Sequence, residues 1–457
     1  MDWKESNQLL KVDLVNDMNI FINKLVINGA KNIDKPIELF FSNKTIKSDI
    51  DFSNSNVKAI YGPNGSGKSA IMAAMYIYKR VLDDVNGIND SFFSHFIYET
   101  INKESELLSI EVVFTLINDK MRCYKHKIEF GLNDEIVVIK REEISILKDK
   151  TIKDENFKNL IIIENGQIKY LKSEKNDNLF YEPLYRLSLN LLDKNSIVSM
   201  IYRLLFNNLK YIGDKEVIKS LSDIVYLSHN LIVELNKEDI HLEYISNQIR
   251  DKNKNFKSLK EVKSNDYLIN LSTINRDVVK KYYFSKYEGN IRKLEEFIRI
   301  FKPDLDKIVI DKKDDDDKYY CDKIFIYGKK RINVEFESTG IKKLVRLYSA
   351  LKSCANGRIV FIDEMDANLH DVYFTKLIEF FKNDSKGQLC FTTHNLEPID
   401  VLKDKAHSLD FISNDSRVYS WIKDGNRSPM NKYVNGLIPY SPFNIESFDF
   451  DLLLDEE

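Results

Sequence analysis

Hydrophobic and polar positions near the start of the chain predict strands followed by one helix. NIFINKLVIN (19–28) and IELFF (37–41) are apolar runs of strand length. VKAIY (57–61) is a third such run, and it leads directly into a glycine-rich loop. After the loop, SAIMAAMYIYKRVLDD (69–84) carries apolar residues at helical spacing. The pattern therefore predicts a strand, a loop and a helix in direct succession.

Between residues 107 and 147 the pattern indicates strands alone. LLSIEVVFTLI (107–117), RCYKHKIEFGL (122–132) and EIVVIKREEISIL (135–147) are separated by short polar turns. Because short turns connect antiparallel neighbours, we expect an antiparallel sheet beside the first strand–loop–helix unit.

Residues 183–300 carry mainly helical apolar stripes. We predict helices in PLYRLSLNLL (183–192), SIVSMIYRLLFNNL (196–209) and EVIKSLSDIVYLSHNLIVEL (216–235). Strands return at 307–310 and 323–336, around the acidic run DKKDDDDK (311–318). We interpret that run as the solvated tip of a hairpin.

A second alternation of helices and strands follows residue 337. Its predicted elements are, in order, the helix ESTGIKKLVRLYSALKS, the strand RIVFIDE, a helix through KLIEFF, the strand QLCFTTH, and the strands HSLDFI and RVYSWIK. The chain therefore has α/β patterning at both ends, and we expect one core that is split by a long insertion. The predicted segments are 1–180 (first half of the core with the antiparallel arm), 181–305 (helical insertion), 306–425 (second half of the core) and 426–457 (tail).

Composition narrows the possible classes of protein. The 457-residue chain is 43% hydrophobic with a net charge of −3, so it is not a polycation that binds nucleic acid through its overall charge. Its four cysteines lie far apart without a CxxC pair, which predicts free buried thiols. No apolar run approaches the roughly 20 residues of a membrane span. Since MDWKESNQLL also lacks the order of a signal peptide, we expect a cytoplasmic protein with no membrane partner.

The loop after VKAIY is the most informative motif. GPNGSGKS (62–69) matches G-x-x-x-x-G-K-[ST] and holds three of the 15 glycines of the chain. Glycines let backbone N–H groups wrap a phosphate, and the following helix directs its positive end at the anion. We expect Lys68 to reach the β- and γ-phosphates of ATP and Ser69 to ligate Mg²⁺. The predicted nucleotide-binding residues are Asn64, Gly65, Ser66, Gly67, Lys68, Ser69 and Ala70.

The second half of the chain supplies candidates for metal binding and catalysis. Asp363 and Glu364 follow the apolar strand IVFI, at the end where ligands bind in open α/β sheets. Asp363 is the candidate Mg²⁺ ligand, and Glu364 is the candidate residue that polarises the attacking water. His394 ends the next predicted strand, and the order of loop, acidic strand and histidine favours a catalytic role for it with Lys68 and Glu364.

These motifs together resemble the ABC-type ATPases of the SMC, RecF and OLD kind. GPNGSGKS resembles their phosphate loop, Asp363-Glu364 with the following DANLH resembles their Walker B and D-loop, and His394 resembles their switch histidine. The resemblance implies an α/β fold, a P-loop ABC-type ATPase core with an antiparallel β arm and a helical insertion. The similarity covers about 1–100 and 320–425.

The resemblance also implies an assembly. ESTG (337–340) opens a helix just before the acidic strand, where this group carries its signature motif. By resemblance, Ser338 and Gly340 contact the γ-phosphate held by a partner subunit, which implies a homodimer or a higher homo-oligomer. Two departures stand out, because we find no Q-loop glutamine between 76 and 106 and no long heptads in the insertion. The absence of LSGGQ disfavours a transporter cassette.

The motifs leave three functions open. The first is an anti-phage sensor ATPase, similar to the ATPase-only AriA subunits of PARIS systems and to Septu and abortive-infection ATPases, which responds to a phage trigger protein. About 60 residues follow His394, and we expect no TOPRIM nuclease there, so a separate nuclease or toxin would be the effector. The second is a RecF-like repair ATPase that DNA stimulates. The third is a nucleotide-loaded scaffold that does not require hydrolysis.

A nucleic-acid partner is suggested by residues 250–299. This segment has 13 Lys/Arg against 7 Asp/Glu and contains KKYYFSKY (280–287). Basic residues among aromatic ones can bind phosphates and stack bases, although a solvated basic face of a helix has the same pattern. In the repair hypothesis, charge reversal at Lys280 and Lys281 should reduce DNA stimulation.

Overall fold

The computed structural model describes most of the chain in eight stretches. These are residues 19–46, 55–84, 87–118, 120–172, 192–200, 215–236, 276–421 and 428–438. The chain divides into two compact units. Unit 1 comprises Met1–Ile245, Cys354–Met365 and Ile378–Glu457, and unit 2 comprises Ser246–Ser353 and Asp366–Leu377.

The described residues include 17 strands and eight α-helices. Their bounds are β1 Asn19–Asn28, β2 Ile37–Phe40, β3 Val57–Tyr61, β4 Leu107–Ile117, β5 Met121–Asn133, β6 Ile136–Leu147, β7 Phe157–Glu164, β8 Gln167–Leu171, β9 Leu231–Glu234, β10 Asp277–Lys280, β11 Lys307–Asp315, β12 Lys318–Tyr327, β13 Lys330–Asn333, β14 Ile359–Ile362, β15 Gln388–Thr392, β16 Leu409–Ile412 and β17 Val418–Ser420. The helices are α1 Lys68–Asp83, α2 Ser91–Thr100, α3 Lys215–Asn230, α4 Phe284–Phe301, α5 Thr339–Ala355, α6 Asp371–Asp384, α7 Glu397–Leu402 and α8 Pro429–Val434.

A six-stranded sheet forms the core of unit 1. Its order is β17-β16-β3-β15-β14-β9, and every neighbouring pair except β16–β17 is parallel. The strands β3, β14, β15 and β16 are buried along their whole length, as expected when both faces of a parallel sheet are covered. The carboxyl ends of β3, β15, β14 and β9 therefore lie at one margin of the sheet, which we call the carboxyl edge.

The strand β9 was not predicted. The apolar stripe over 216–235 predicts one continuous helix, and this prediction is wrong for its last residues, because α3 ends at Asn230. Leu231–Glu234 instead pairs in parallel with Ile359–Ile362. Since LIVE is apolar and contains β-branched residues, its pairing with β14 outweighs the helical periodicity that it continues. A core strand therefore lies within the segment 181–305 that was predicted to be a helical insertion.

The antiparallel sheet predicted after residue 107 is present, and it is larger than predicted. It has seven strands in the order β2-β1-β4-β5-β6-β7-β8, all within unit 1. The Gln388 side chain joins it to the parallel sheet: its amide oxygen accepts from Ile22 N at 2.9 Å and its amide nitrogen donates to Ile22 O and Ser55 O. Ile22 lies at a register shift between β1 and β4, where its backbone groups are open to a side-chain partner.

Unit 2 is built from a small antiparallel sheet and helix α4. The sheet has the order β10-β12-β11, with β13 also paired to β12. The acidic run lies at the tip end of the β11–β12 hairpin, as predicted, but only residues 316–317 form the turn, since Asp315 pairs with Lys318 and residues 311–315 belong to β11. One apolar cluster joins α4 to the sheet and to the start of α5; it includes Ile291, Ile298, Phe325 and Leu344.

Other sequence predictions have mixed outcomes. The four cysteines are free and buried, as predicted, and burial raises the pKa of Cys123 and Cys354 to about 12. Among the described helices, none combines the length and apolar character that a bilayer crossing requires. Several predicted segments lie outside the described residues. They are residues 183–191 and 201–209 of two predicted helices, most of the tail 426–457 and the basic stretch 250–275.

Candidate functional site

The phosphate loop has a backbone that glycine alone accommodates. Gly65 and Gly67 have φ of 79° and 97°, in the left-handed region that disfavours other residues. A Cβ atom on Gly67 would lie 2.9 Å from Ile33 Cγ1, and one on Gly62 would lie 2.5 Å from the carbonyl oxygen of Ile412. Packing therefore requires glycine at positions 62 and 67. The backbone conformation requires it at positions 65 and 67.

Helix α1 begins directly at the end of this loop. Gly67 is its N-cap residue and no side chain caps it, so the N–H groups of the first turn remain available to an anion. The ammonium of Lys68 donates to Gly62 O at 2.8 Å and to Pro63 O at 3.0 Å. The lysine charge is therefore held within the loop. Asn64 and Gly65 are exposed at the tip of the loop, whereas Ser66 and Ala70 are buried.

Asp363 lies at the end of β14 with one carboxylate oxygen satisfied and one unsatisfied. Its backbone N–H donates to Glu234 O, and its Oδ1 accepts from Thr392 Oγ1 at 2.5 Å. The residue is 1% exposed, yet its Oδ2 has no hydrogen-bond partner among the described residues. Because an unpaired buried carboxylate oxygen is costly, this atom fits a cation ligand.

Glu364 is held by two neighbours. Its backbone N–H donates to Thr392 Oγ1 at 2.7 Å, and its Oε2 accepts from Asn236 Nδ2 at 2.8 Å. Its φ of 44° lies in the left-handed region, which costs a non-glycine residue of order 1–3 kcal/mol. Strain of this kind persists where the surroundings specify the conformation, and here they orient a carboxylate at the carboxyl edge.

Asn236 is a site residue that the sequence analysis missed. The search for a glutamine that couples the nucleotide to the insertion covered 76–106, but the polar residue that contacts Glu364 follows β9. The available signal was the apolar run LIVE with a polar amide shortly after it. That signal was hidden because the run continues the helical stripe of α3.

The predicted residues of unit 1 follow neighbouring strands. Lys68 and Ser69 follow β3, His394 follows β15, and Asp363 and Glu364 follow β14, so all five lie along the carboxyl edge. His394 is exposed, two residues beyond the end of β15. The N–H of Thr393, beside it, donates to Ile60 O of β3 at 3.3 Å. The sheet thus brings Lys68 and Asp363, which are 295 positions apart in the chain (363 − 68), to one edge.

The predicted signature residues belong to unit 2. Ser338 Oγ accepts from Ile341 N at 3.4 Å, the position of an N-cap side chain at the start of α5. A Cβ atom on Gly340 would lie 2.6 Å from Asn368 O, so the close approach of the two backbones requires glycine. A cavity of about 540 Å³ in this unit is lined by Ser338 and Gly340 together with Lys302 and His370.

The side chains at the carboxyl edge suit Mg²⁺ better than a metal held by the protein alone. No group of three or more His, Cys, Asp or Glu side chains that could hold a metal occurs in the described part of the chain. Mg²⁺ keeps several water ligands and binds through one or two protein oxygens plus the phosphates of a substrate. The unsatisfied Oδ2 of Asp363 and the hydroxyl of Ser69 fit that requirement.

Several solved structures are similar to the chain. An Smc head domain from Pyrococcus furiosus, bound to the C-terminal domain of ScpA, is 16% identical with a TM-score of 0.41 over 88% of this chain and 96% of that one. An SMC head domain from Thermotoga maritima is 14% identical with a TM-score of 0.34, over 88% and 99%. The recombination mediator RecF with ATP is 15% identical with a TM-score of 0.37, over 88% and 99%. With TM-scores below 0.5, these similarities carry no argument about function.

A comparison with protein families matches most of the chain. No curated protein matches the chain. A family model described as "AAA domain, putative AbiEii toxin, Type IV TA system" matches residues 57–400. This range exceeds half of the chain and includes the phosphate loop, Asp363, Glu364 and His394. The chain therefore belongs to this family of AAA domains.

Proposed function

We propose that this protein binds ATP with Mg²⁺ and hydrolyses it at the carboxyl edge of unit 1. The observation that carries the proposal is the buried, unsatisfied Oδ2 of Asp363 on the strand next but one to the phosphate loop. Membership of an AAA family and the glycine geometry of the loop support the same activity.

Each residue at the edge has a distinct role in the proposal. The N–H groups of the first turn of α1 and the Lys68 ammonium bind the phosphates. The Glu364 carboxylate orients the attacking water and accepts its proton, and Asn236 holds that carboxylate in place. Ser69 and Asp363 would hold Mg²⁺, which would supply positive charge that offsets the negative charge of the phosphates. His394 is positioned beside the γ-phosphate.

The active form in this proposal is an ATP-dependent homodimer. Ser338 and Gly340 of one copy would contact the γ-phosphate in the other copy. This contact is supported by the N-terminus of α5, where Ser338 and Thr339 are exposed. Dimerisation then reports that ATP is bound.

The proposed biological role is a sensor subunit in an anti-phage, abortive-infection complex. ATP-dependent dimerisation would hold or release a separate toxic effector, such as a nuclease, in response to a phage protein. The family description, which names a toxin of a type IV toxin–antitoxin system, supports a place in such a system. The PARIS-like pairing of an ATPase subunit with a nuclease effector is the architecture we favour.

The ATPase proposal is tested with a matched pair of Asp→Asn variants. Asp363→Asn should abolish Mg²⁺-dependent hydrolysis of ATP, because the amide is a poor ligand for the ion. Asp410→Asn makes the same change at a buried carboxylate away from the predicted catalytic residues, and its hydrolysis per folded molecule should stay at the wild-type level. Wild-type hydrolysis by Asp363→Asn would contradict the proposal.

The sensor role is tested with Glu364→Gln, which should bind ATP and hydrolyse it poorly. The tagged variant would be purified from the native host, and its partners identified by mass spectrometry. A stoichiometric nuclease or toxin that leaves on phage challenge would support the sensor role, whereas a dimer without partners would contradict it. If Glu364→Gln protects cells and Lys68→Ala does not, the scaffold hypothesis explains the protein better.

A further inference from the structure

The sequence KKYYFSKY forms a groove in unit 2. The groove has a volume of about 590 Å³ and is lined chiefly by residues 278–290. We call it the tyrosine groove and define it by Lys280, Tyr282, Tyr283, Lys286, Tyr287 and Asn290. It lies at the junction of β10 and α4 within unit 2.

Two tyrosine rings of the groove are unusually exposed. Tyr282 is 70% and Tyr283 is 54% exposed, and their ring centroids lie 4.2 Å apart. Burial of aromatic side chains stabilises a fold, so two adjacent rings that stay exposed forgo that stabilisation. The two rings contact each other at an interplanar angle of 44°, and Lys280 Nζ lies 5.9 Å from the centroid of the Tyr282 ring. The exposed remainder of both rings is the surface that a planar partner can contact.

The charge beside these rings is positive. Lys280 and Lys286 line the groove, and no carboxylate pairs with either lysine in the described part of the chain. Asp277, the nearest acidic residue in sequence to Lys280, is already engaged by Tyr287 Oη at 2.6 Å and by Lys323 Nζ at 2.5 Å. An anion in the groove therefore meets two lysines without a competing carboxylate.

Lys281 differs from its neighbour Lys280. Its ammonium pairs with Asp314 of the β11–β12 hairpin at 2.6 Å, and it does not line the groove. The acidic hairpin thus supplies a counter-charge to Lys281. A duplex has two phosphate backbones, and its binding strengthens with the number of phosphates that lysines and arginines neutralise. The groove offers two lysines, and an acidic hairpin lies beside it.

We propose that the tyrosine groove binds single-stranded nucleic acid, with bases stacked on Tyr282 and Tyr283 and phosphates contacting Lys280 and Lys286. Stacking on aromatic rings is tolerant of sequence, because every base has an aromatic face. The groove therefore binds a strand without sequence preference. With two phosphate contacts, the logarithm of the binding constant should fall with the logarithm of salt concentration with a slope of about −1.4.

The experiment measures the fluorescence anisotropy of labelled dT12 and rU12 with the full chain, with a 12-base-pair duplex as competitor. The wild-type protein should bind a single strand more tightly than the duplex, and the ratio of dT12 to rU12 affinity tells which nucleic acid is preferred. Tyr282→Ala with Tyr283→Ala should weaken binding about ten- to hundredfold. Tyr282→Phe with Tyr283→Phe should retain it, since the rings remain.

The lysines provide a matched control. Lys280→Ala with Lys286→Ala should weaken binding and bring the salt slope close to zero, whereas Lys281→Ala should change the affinity less than twofold. Thermal melts verify folding, and the single variant Tyr282→Ala, at the more exposed ring, replaces the double variant if that one unfolds. Tighter binding of the duplex, no binding of either oligomer, or wild-type affinity in the alanine variants would overturn the proposal. Basal ATP hydrolysis should be the same in all these variants.

Discussion

Two buried carboxylates of unit 1 have opposite hydrogen-bonding states. Glu142 and Asp363 are each 1% exposed. Glu142 Oε1 accepts from Ser196 Oγ at 2.5 Å and contacts His126 Nε2 at 3.1 Å, and its Oε2 accepts from Ile197 N at 2.9 Å. Asp363 has a partner on Oδ1, whereas its Oδ2 has none among the described residues.

Two other buried carboxylates resemble Glu142. Asp410 Oδ2 pairs with the Lys58 ammonium, and its Oδ1 accepts from Ser420 Oγ at 2.6 Å. Asp223 contacts Arg122 and Tyr124 through Oδ2 and Lys219 through Oδ1. These carboxylates are fully satisfied by the protein, so their role is to join elements of the fold. Asp363 differs from these three carboxylates in its unsatisfied oxygen, which is the observation behind its proposed role as a cation ligand.

The Glu142 network also links α1 to the antiparallel sheet. Tyr78 of α1 contacts His126 Nδ1 of β5 at 2.9 Å, and His126 in turn contacts Glu142 of β6. Since α1 begins at Lys68, this buried chain of hydrogen bonds connects the helix of the phosphate loop to the arm. The comparison therefore separates Asp363, which we propose as a cation ligand, from Glu142, which joins α1 to the antiparallel sheet through His126.

The largest expected effect is on hydrolysis. Glu364→Gln should lower the turnover number by about 10²- to 10⁴-fold, because the amide cannot accept the proton of the attacking water. Single-turnover assays with radiolabelled ATP would measure it, with equilibrium binding of ATP as the control. Unchanged turnover would show that another residue activates the water.

The next effect concerns stability. Asp410→Asn leaves the Lys58 charge buried without a counter-charge and should lower the free energy of unfolding by about 3–5 kcal/mol. Asp363→Asn should change it by less than about 1 kcal/mol, since the replaced oxygen had no partner to lose. Urea denaturation without nucleotide compares the two variants. Equal losses would remove the distinction between the two carboxylates.

A smaller loss of stability is expected at Glu142. Glu142→Gln retains the volume but presents an amide N–H₂ group to one of its donors, which should cost about 1–3 kcal/mol. The dissociation constant for Mg²⁺–ATP should stay the same, because Glu142 is not at the carboxyl edge. Isothermal titration alongside thermal melts would measure both quantities, and a weakened affinity at full stability would assign Glu142 a direct role.

The smallest expected effect is at Asn236. Asn236→Ala removes one hydrogen bond to the Glu364 carboxylate and should lower the turnover number by about tenfold, with the affinity for ATP unchanged. Because Asn236 acts through Glu364, the same substitution should have no further effect in a Glu364→Gln background. A double-mutant cycle of turnover measures this coupling, and additive effects would contradict it.

Local motifs in the sequence predicted the phosphate loop, the acidic strand end and the antiparallel arm. The loop was predictable because its phosphate-binding backbone requires glycines at fixed spacing, and VKAIY and the following helical stripe mark its flanks. The strands of the arm were predictable because they are long and separated by short turns. The family comparison supports the general class of ATPase, which the resemblance had already implied.

Contacts between distant parts of the chain were decided by the tertiary structure alone. The apolar run LIVE satisfies a helical stripe, and its place beside β14 depends on a strand more than 100 residues later. For that reason Asn236, 128 positions from Glu364, had no local signal that identifies it as its partner. Lys280 and Lys281 are equivalent in sequence, and their difference arises because the hairpin places Asp314 beside only one of them.

The sequence by itself therefore determined which chemical groups are present and which short segment has the glycines of a phosphate loop. The tertiary structure decided which of the buried carboxylates remains unsatisfied, because hydrogen-bond partners come from strands and loops that only folding brings together. Thr392 shows this most directly: its hydroxyl joins Asp363 Oδ1 to the Glu364 N–H from a neighbouring strand, and that contact depends on the register of β14 and β15.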